Sequence, residues 1–370
     1  MKITSITPIA ITIPLRQEIK MGGILYTESE NLLVRVKTED GSIGWGEAPA
    51  APTMTGETIA SMDAAVMYLT PHLIGRNVSS FQENMKLMDH FLYGNSSAKA
   101  ALEIGFYDVV GKIQKKSMSE LLGGVKRSKI PVLWMLAVGK LEADSEEAQF
   151  KLDEGFQSFK VKVGGNPINE DVSRVEEIRK IVGKSRQLSA DANQAWKRTE
   201  AIRFVEGVSG LLDFIEQPVM GNDLDGMNSI AQASSTPIGA DEGLHSISDI
   251  VSHKESGAAA GGSLKMIKLG GVMKALKAAE LSDQVGMKVN LAGKICETSI
   301  ASAAVSHLAA AIPQIDWGLS ITNQYAATDI VKEPISILNG NVGVPSGYGL
   351  GVEMDEVSLE RLSKHAIRDE

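Results

Sequence analysis

At 370 residues, 43% hydrophobic and 22% charged, with 36 glycines, the chain has room for two domains or for one large barrel with an appendage. A formal net charge of −9 without any lysine- and arginine-rich run argues against a nucleic-acid partner, and no window is apolar over the length a bilayer demands, so no membrane partner is expected. The lone Cys296 permits neither an internal disulfide nor a zinc cage, fits a reducing cytoplasm, and leaves oxygen or imidazole to hold any metal.

The opening "MKITSITPIAITIPLRQEI" alternates apolar and polar residues, which predicts a strand over about 2–14 rather than a secretion signal. "NLLVRVKTEDGSIGWGEA" reads as two strands turning at Asp40 and Gly41. Helical periodicity follows over about 57–72 and 98–114, so the first 125 residues or so form an α+β unit. From about Ile130 eight short apolar runs alternate with amphipathic helices: "IPVLWMLAV", "FQSFKVKV", "RQLSADAN", "LLDFIEQP", "TPIGADEG", "SLKMIKLGG", "MKVNLAG" and "QIDWGLS". That rhythm predicts a parallel sheet closed into a barrel; a doubly wound open sheet would compete, but no glycine fingerprint follows a first strand. The glycine- and proline-rich segment from about Ile335 breaks the rhythm and is expected to fold back on the first unit.

Three acids close successive strands at equal intervals: Asp191 in "SADAN", Glu216 in "FIEQP" and Asp241 in "GADEG". At that phase they meet at the C-terminal mouth of a barrel, where carboxylates crowd one another unless a cation neutralises them. Oxygen-only ligation favours Mg²⁺ over zinc; the plainer alternative is that each acid merely caps the helix after it. Lys160 and Lys162 end the strand before Asp191, side by side on one face. Lys265 and Lys268 both fit the strand after Asp241, and spacing alone does not choose between them. A lysine near a cationic neighbour and a metal, with little water, has its neutral form favoured and can serve as a base near neutral pH, and Lys160 is that neighbour for Lys162.

In this order, "KVK", "DAN", "EQP", "ADEG" and "KMIKLGG", with "GWGEA" before them and "PSGYGLGVEMDE" after, resemble the enolase superfamily, specifically its muconate-lactonizing-enzyme subgroup, over nearly the whole chain. The resemblance implies an α/β fold: a modified (β/α)7β TIM barrel over 126–330 and an N-terminal α+β capping domain over 1–125, completed by residues 331–370. It implies one Mg²⁺ per subunit, with Mn²⁺ as a substitute, on Asp191, Glu216 and Asp241. It also makes Lys162 and Lys265 opposed acid/base residues and Lys268 a supporting one, with Lys160 tuning Lys162 and reaching the substrate carboxylate. The implied step is removal of the proton α to a carboxylate, giving an enediolate that the metal stabilises. The sister subgroup's histidine after the seventh strand is missing from "NLAGKICE", and His245, His253 and His307 read as structural.

Substrate contacts are expected at Asn193 of "DAN", and at Tyr26 and Thr55 in two cap loops, 19–29 and 52–58, whose light charge suits a compact substrate. "IDWGLS" departs from the subgroup: it has Asp316 but Gly318 where dipeptide epimerases carry a second acid, and Ser320 where cycloisomerases carry theirs. Trp317 has two readings, a cation–π partner for a ring ammonium or a packing residue. Lys294 and Glu297, at the seventh strand's end, are further candidate contacts. The chain resembles members acting on hydroxyprolines or their betaines. The expected activity is therefore dehydration or 2-epimerisation of a proline derivative, cis-3-hydroxy-L-proline in particular. Dipeptide epimerase, N-acylamino-acid racemase with o-succinylbenzoate synthase activity, cycloisomerase and a catalytically silent barrel are the alternatives, and a symmetric homo-oligomer is expected.

Overall fold

The computed structural model describes residues 1–21 and 24–363. Strands β1 (Ile3–Met21), β2 (Ile24–Thr38) and β3 (Ile43–Pro49) form an antiparallel sheet in the order β1-β2-β3, with the turn at Asp40 and Gly41 where the sequence puts it. Alternate residues Ile9, Ile11, Ile13 and Leu15 are buried, as period-two patterning requires. Strand β1 runs well past residue 14, so most of the expected loop over 19–29 is strand instead, and the tip at 22–23 lies outside the described residues.

The helix Ser96–Gln114 lies against this sheet unusually closely. A side chain on Gly44 or Gly46 would collide with the helix backbone at Gly105 or Ala101, which explains the glycines of "GWGEA". From the same strand Glu47 accepts hydrogen bonds from Thr298 N and Oγ1 and from Ala301 N, capping the barrel helix Ser299–Ala311. Glu103 does the same for the barrel helix Val272–Gln284, accepting from Val272 N at 2.6 Å. Two buried cap carboxylates thus fasten the cap to two barrel helices.

After β4 (Lys129–Pro131) come the barrel strands: β5 (Leu133–Leu136), β6 (Ser158–Lys162), β7 (Gln187–Asp191), β8 (Phe214–Glu216), β9 (Ile238–Ala240), β10 (Gly261–Leu264), β11 (Lys288–Ala292) and β12 (Leu319–Ser320). They pair in parallel in sequence order, a helix follows each strand before the next, and a bridge between Val132 and Leu319 joins the two ends. The fold is an α/β modified TIM barrel under an antiparallel cap. The strands are shorter than their motifs, and one motif changes type: β10 stops at Leu264, and Met266–Leu269 of "SLKMIKLGG" is a single helical turn.

Strands β13 (Ile337–Leu338) and β14 (Asn341–Gly343) form a hairpin whose second strand pairs with β4. Farther on the chain reaches the cap: Leu350 N donates to Asp108 Oδ1 at 2.9 Å, and Ser363 bridges to Ile11. No helix among the described residues is long and apolar enough to cross a membrane.

Candidate active site

The site is built at one level, where the parallel strands end. Strand register sets Lys162 beside Asp191 and Asp191 beside Glu216, each the last residue of its strand. Asp241 and Lys265 stand one residue past the ends of β9 and β10. The equal spacing of the acids in sequence is therefore equal height in space.

Each acid has one oxygen on a fixed donor and the other on a lysine. Asp191 Oδ1 accepts from Asn193 N at 3.0 Å, and its Oδ2 accepts from Lys162 Nζ at 2.5 Å. Glu216 Oε1 accepts from Ser263 Oγ at 2.7 Å, and its Oε2 meets the Lys160 ammonium. Asp241 Oδ1 accepts from Lys268 Nζ at 2.6 Å and its Oδ2 from Lys265 Nζ at 2.5 Å. All seven side chains are nearly or fully buried, so these ion pairs act in a low dielectric.

Burial disfavours the ionised Asp241, but the Lys265 and Lys268 ammoniums outweigh it and hold the carboxyl far below the usual range. Burial likewise opposes the charge on Lys265, and there Asp241, Glu216 and Glu242 win, so its pKa is raised. Lys160 is raised too, against its burial, by Glu216 and Asp191. At Lys268, by contrast, burial prevails and lowers the pKa. With the side chains as they stand, carboxylates are nearer to Lys265 than any cation, which is why its ammonium form is favoured.

Among the described residues, no three carboxylate or imidazole groups surround a common point as the side chains stand, since the ammoniums take the carboxylate oxygens. The donor set still fits a hard divalent cation. It is oxygen only, and Asp191 Oδ2, Glu216 Oε2 and Asp241 Oδ2 are each held by a single lysine ammonium, while other protein donors fix the opposite oxygens.

A cavity of about 640 Å³ opens over these groups, and Lys160, Asn193, Tyr26, Lys294 and Ser320 also line it. Asn193 and Gln194 have φ of 43° and 66°, a left-handed backbone unusual outside glycine. It brings Asn193 Oδ1 to 2.6 Å from Lys162 Nζ and Nδ2 to 3.0 Å from Glu242 Oε1.

Three expectations change, and the place of Asp316 becomes clear. Trp317 is not at the mouth: it is 2% exposed, stacks on Phe214 with ring centroids 4.1 Å apart, and fills the barrel's lower end beside Gly239 and Gly261. Thr55 does not line the cavity, because its hydroxyl turns to Ala51 O and Ser97; Thr53 and Met54 line it instead. Glu297 is buried behind the wall, its carboxylate filling the space that a side chain on Gly293 would take. Asp316 lies below the mouth, accepting from Val289 N, so Ser320 and Thr322 are what the eighth strand presents to the cavity.

One residue escaped sequence reasoning, and one read as structural proves to tie the cap to the barrel. Glu242 lines the cavity, and burial followed by the charges of Asp241 and Asp191 pushes its pKa up to about 7. The only signal was its place next to Asp241, past the strand end, where alternation no longer sorts faces. His245, exposed after β9, bonds Met54 O at 2.8 Å and ties a cap loop to the barrel. Of the other histidines read as structural, His253 bonds Asp249 O, and His307 bonds Ser119 Oγ and Leu350 O.

Residues 143–358 match the family described as enolase C-terminal domain-like, and residues 6–123 match the mandelate racemase / muconate lactonizing enzyme N-terminal domain. The chain belongs to the enolase superfamily. Within it the likeness is to the muconate-lactonizing-enzyme subgroup. The chain is 33% identical to an N-succinyl-L-Arg/Lys racemase of Bacillus cereus over 98% of both chains, and 31% identical to an L-Ala-D/L-Glu epimerase of Bacillus subtilis over 95% of this chain and 97% of that one. The muconate lactonizing enzyme of Pseudomonas fluorescens, solved with muconolactone, superposes with a TM-score of 0.94 at 29% identity, over 98% of this chain and 99% of that chain. As an enolase-superfamily member of racemase, epimerase or lyase type, the protein is an enzyme whose chemistry is proton abstraction.

Proposed function

We propose that the enzyme removes the proton α to the carboxylate of a proline derivative, then either returns a proton to the opposite face or loses a β-hydroxyl; cis-3-hydroxy-L-proline is the specific substrate. One observation carries this reading: Lys162 on β6 and Lys265 past β10 flank Asp191, Glu216 and Asp241 on the strands between them. A planar intermediate lying over the acids would have one lysine on each face, as 2-epimerisation needs.

Asp191, Glu216 and Asp241 would hold Mg²⁺, or Mn²⁺ in its place, and the ion would supply positive charge at the substrate carboxylate as electron density builds there. The protein's own groups do the rest. Lys162 and Lys265 move the proton at the α-carbon, Lys160 donates to the substrate carboxylate or its neighbouring Glu216, and Lys268 holds Asp241 in place. Asn193 orients Lys162 through its 2.6 Å hydrogen bond. The cap loop carrying Thr53 and Met54 excludes water.

The proline reading loses Trp317 but has another support. Glu242 lines the cavity, so a ring ammonium there would have a carboxyl group beside it. Ser320 and Thr322 offer no carboxylate at the eighth strand, which weighs against a dipeptide or a cationic side chain reaching that end. A dicarboxylate, as in a cycloisomerase, is favoured only by the Lys294 ammonium in the cavity wall.

The test is a panel of hydroxyprolines and their betaines, with muconate as the dicarboxylate, incubated with enzyme and Mg²⁺ in D₂O. α-Deuteration or dehydration of a hydroxyproline supports the reading; turnover of muconate alone overturns it.

A further inference from the structure

Lys294 stands apart from the other lysines of the cavity wall. Lys160, Lys162 and Lys265 each rest on a carboxylate, whereas the Lys294 ammonium has no ion-pair or hydrogen-bond partner among the described residues. What it meets is the face of Tyr26, with Nζ 5.1 Å from the ring centroid.

Its backbone, by contrast, is held on every side. Lys294 N donates to Glu297 Oε1 at 2.9 Å, and Lys294 O accepts from Thr322 Oγ1 at 2.7 Å. Asn31, reaching in from the cap, donates from Nδ2 to Cys296 O at 3.0 Å. Glu297 lodges where Gly293 leaves room, and its Oε2 is buried without a hydrogen-bond partner. Burial pushes the Glu297 carboxyl up to about 8, so a mostly protonated acid lies behind the wall and the free ammonium in front of it.

Position gives this arrangement a meaning. Around the mouth Lys162 ends β6, Asp191 and Glu216 end β7 and β8, Asp241 and Lys265 follow β9 and β10, and Lys294 follows β11. A substrate with its carboxylate over the acids and its α-carbon between Lys162 and Lys265 would extend its next carbon toward β11 and β12. There the polar side chains are Lys294, Ser320, Thr322 and Tyr325, beside Ile295 and Ile321, and no carboxylate lines that end.

We propose that Lys294 is a third proton carrier, which protonates an oxygen leaving from the carbon β to the substrate carboxylate and so makes the enzyme a hydro-lyase. This rests on the proton-abstraction reading of the same cavity. In the step, a neutral lysine of the Lys162/Lys265 pair takes the α-proton, and that C–H electron pair becomes the Cα–Cβ double bond. The Cβ–O bond breaks with its electrons on oxygen, the oxygen takes a proton from the Lys294 ammonium, and water leaves. Nothing is oxidised or reduced, and Lys294 is left neutral.

The environment suits a proton donor. Burial first, and Lys265 nearby, bring the Lys294 pKa down to about 8, against the pull of Glu297 and Cys296. An ammonium that loses its proton near neutrality is a better acid for a departing hydroxide than an ordinary lysine.

Two rates measured on one substrate test this, with cis-3-hydroxy-L-proline, Mg²⁺ and D₂O: α-deuterium uptake and formation of the dehydrated product. Lys294→Met and Lys294→Arg are each expected to lower the ratio of elimination to exchange by about a hundredfold or more. A β-chloro analogue, whose leaving group needs no proton, is expected to restore that ratio. If exchange and elimination fall together and KM rises, Lys294 is a substrate anchor and the assignment is wrong. It is equally wrong if the wild-type enzyme exchanges the α-proton without eliminating water. Absence of exchange in the wild type overturns the proton-abstraction reading, and the role of Lys294 with it.

Discussion

Gly271 is bare because Glu103 stands where its side chain would be. Glu103 Oε2 accepts from Val272 N at 2.6 Å and from Met273 N at 3.3 Å, and a Cβ on Gly271, whose φ is 135°, would collide with that same oxygen. The double glycine of "KLGG" is thus a docking point for the cap, one turn after Lys265. Gly271→Ala is expected to cost about 2–4 kcal/mol, from backbone strain and overpacking together. In a Glu103→Ala background the same change should cost measurably less; denaturant melts of the four proteins give the coupling.

That contact also sets a pH dependence. Burial raises Glu103 from the ordinary 4.5 to about 7 despite its two backbone donors. Below about pH 4.5 the folded and unfolded chains both hold the proton. Between there and about 7 the unfolded chain has released it while the folded chain keeps it, so stability falls as pH rises. The shift corresponds to at most about 3 kcal/mol. Subtracting the stability profile of Glu103→Gln from that of the wild type should reveal a decline confined to this window.

Trp317 gives a sharper separation of packing from binding. Stacked on Phe214 at the lower end of the barrel, it has no path to a substrate at the mouth. Trp317→Phe is expected to lower stability by about 1–3 kcal/mol while leaving KM within twofold of wild type. A large rise in KM with stability intact would return the indole to the site.

Metal binding has a readout apart from turnover. If Asp191, Glu216 and Asp241 hold Mg²⁺, the ion binds the folded chain alone, and at a hundredfold excess over Kd it adds about 2.7 kcal/mol of stability. Asp241→Asn should abolish that gain in thermal melts, and chelation should reverse it in the wild type.

The barrel was legible because its rhythm is written in residue types. Eight apolar runs between amphipathic helices became eight parallel strands in order, and acids in phase became acids at one height. The cap hairpin was equally plain from the turn at Asp40 and Gly41. Where elements end, alternation fails as a guide. Lys268 looked like a strand residue but belongs to a helical turn, and Glu242, just past β9, carried no periodic mark. Trp317 had two readings, and register decides for packing: β12 begins only at Leu319, which leaves the indole below the mouth and gives Ser320 and Thr322 the cavity face. Lys294 was visible as an oddity, yet its freedom from any carboxylate depends on Glu297 turning behind Gly293, a three-dimensional fact.

The central claim is that Lys162 and Lys265 serve opposite faces of one α-carbon. It is tested most directly by α-deuterium uptake in D₂O with Mg²⁺, using the two α-antipodes of the substrate separately with Lys162→Ala and with Lys265→Ala. Each variant is predicted to exchange the α-proton of one antipode and to fail on the other, with the preference reversed between them. Exchange of the same antipode by both variants, or wild-type exchange of both antipodes by either, would contradict the account.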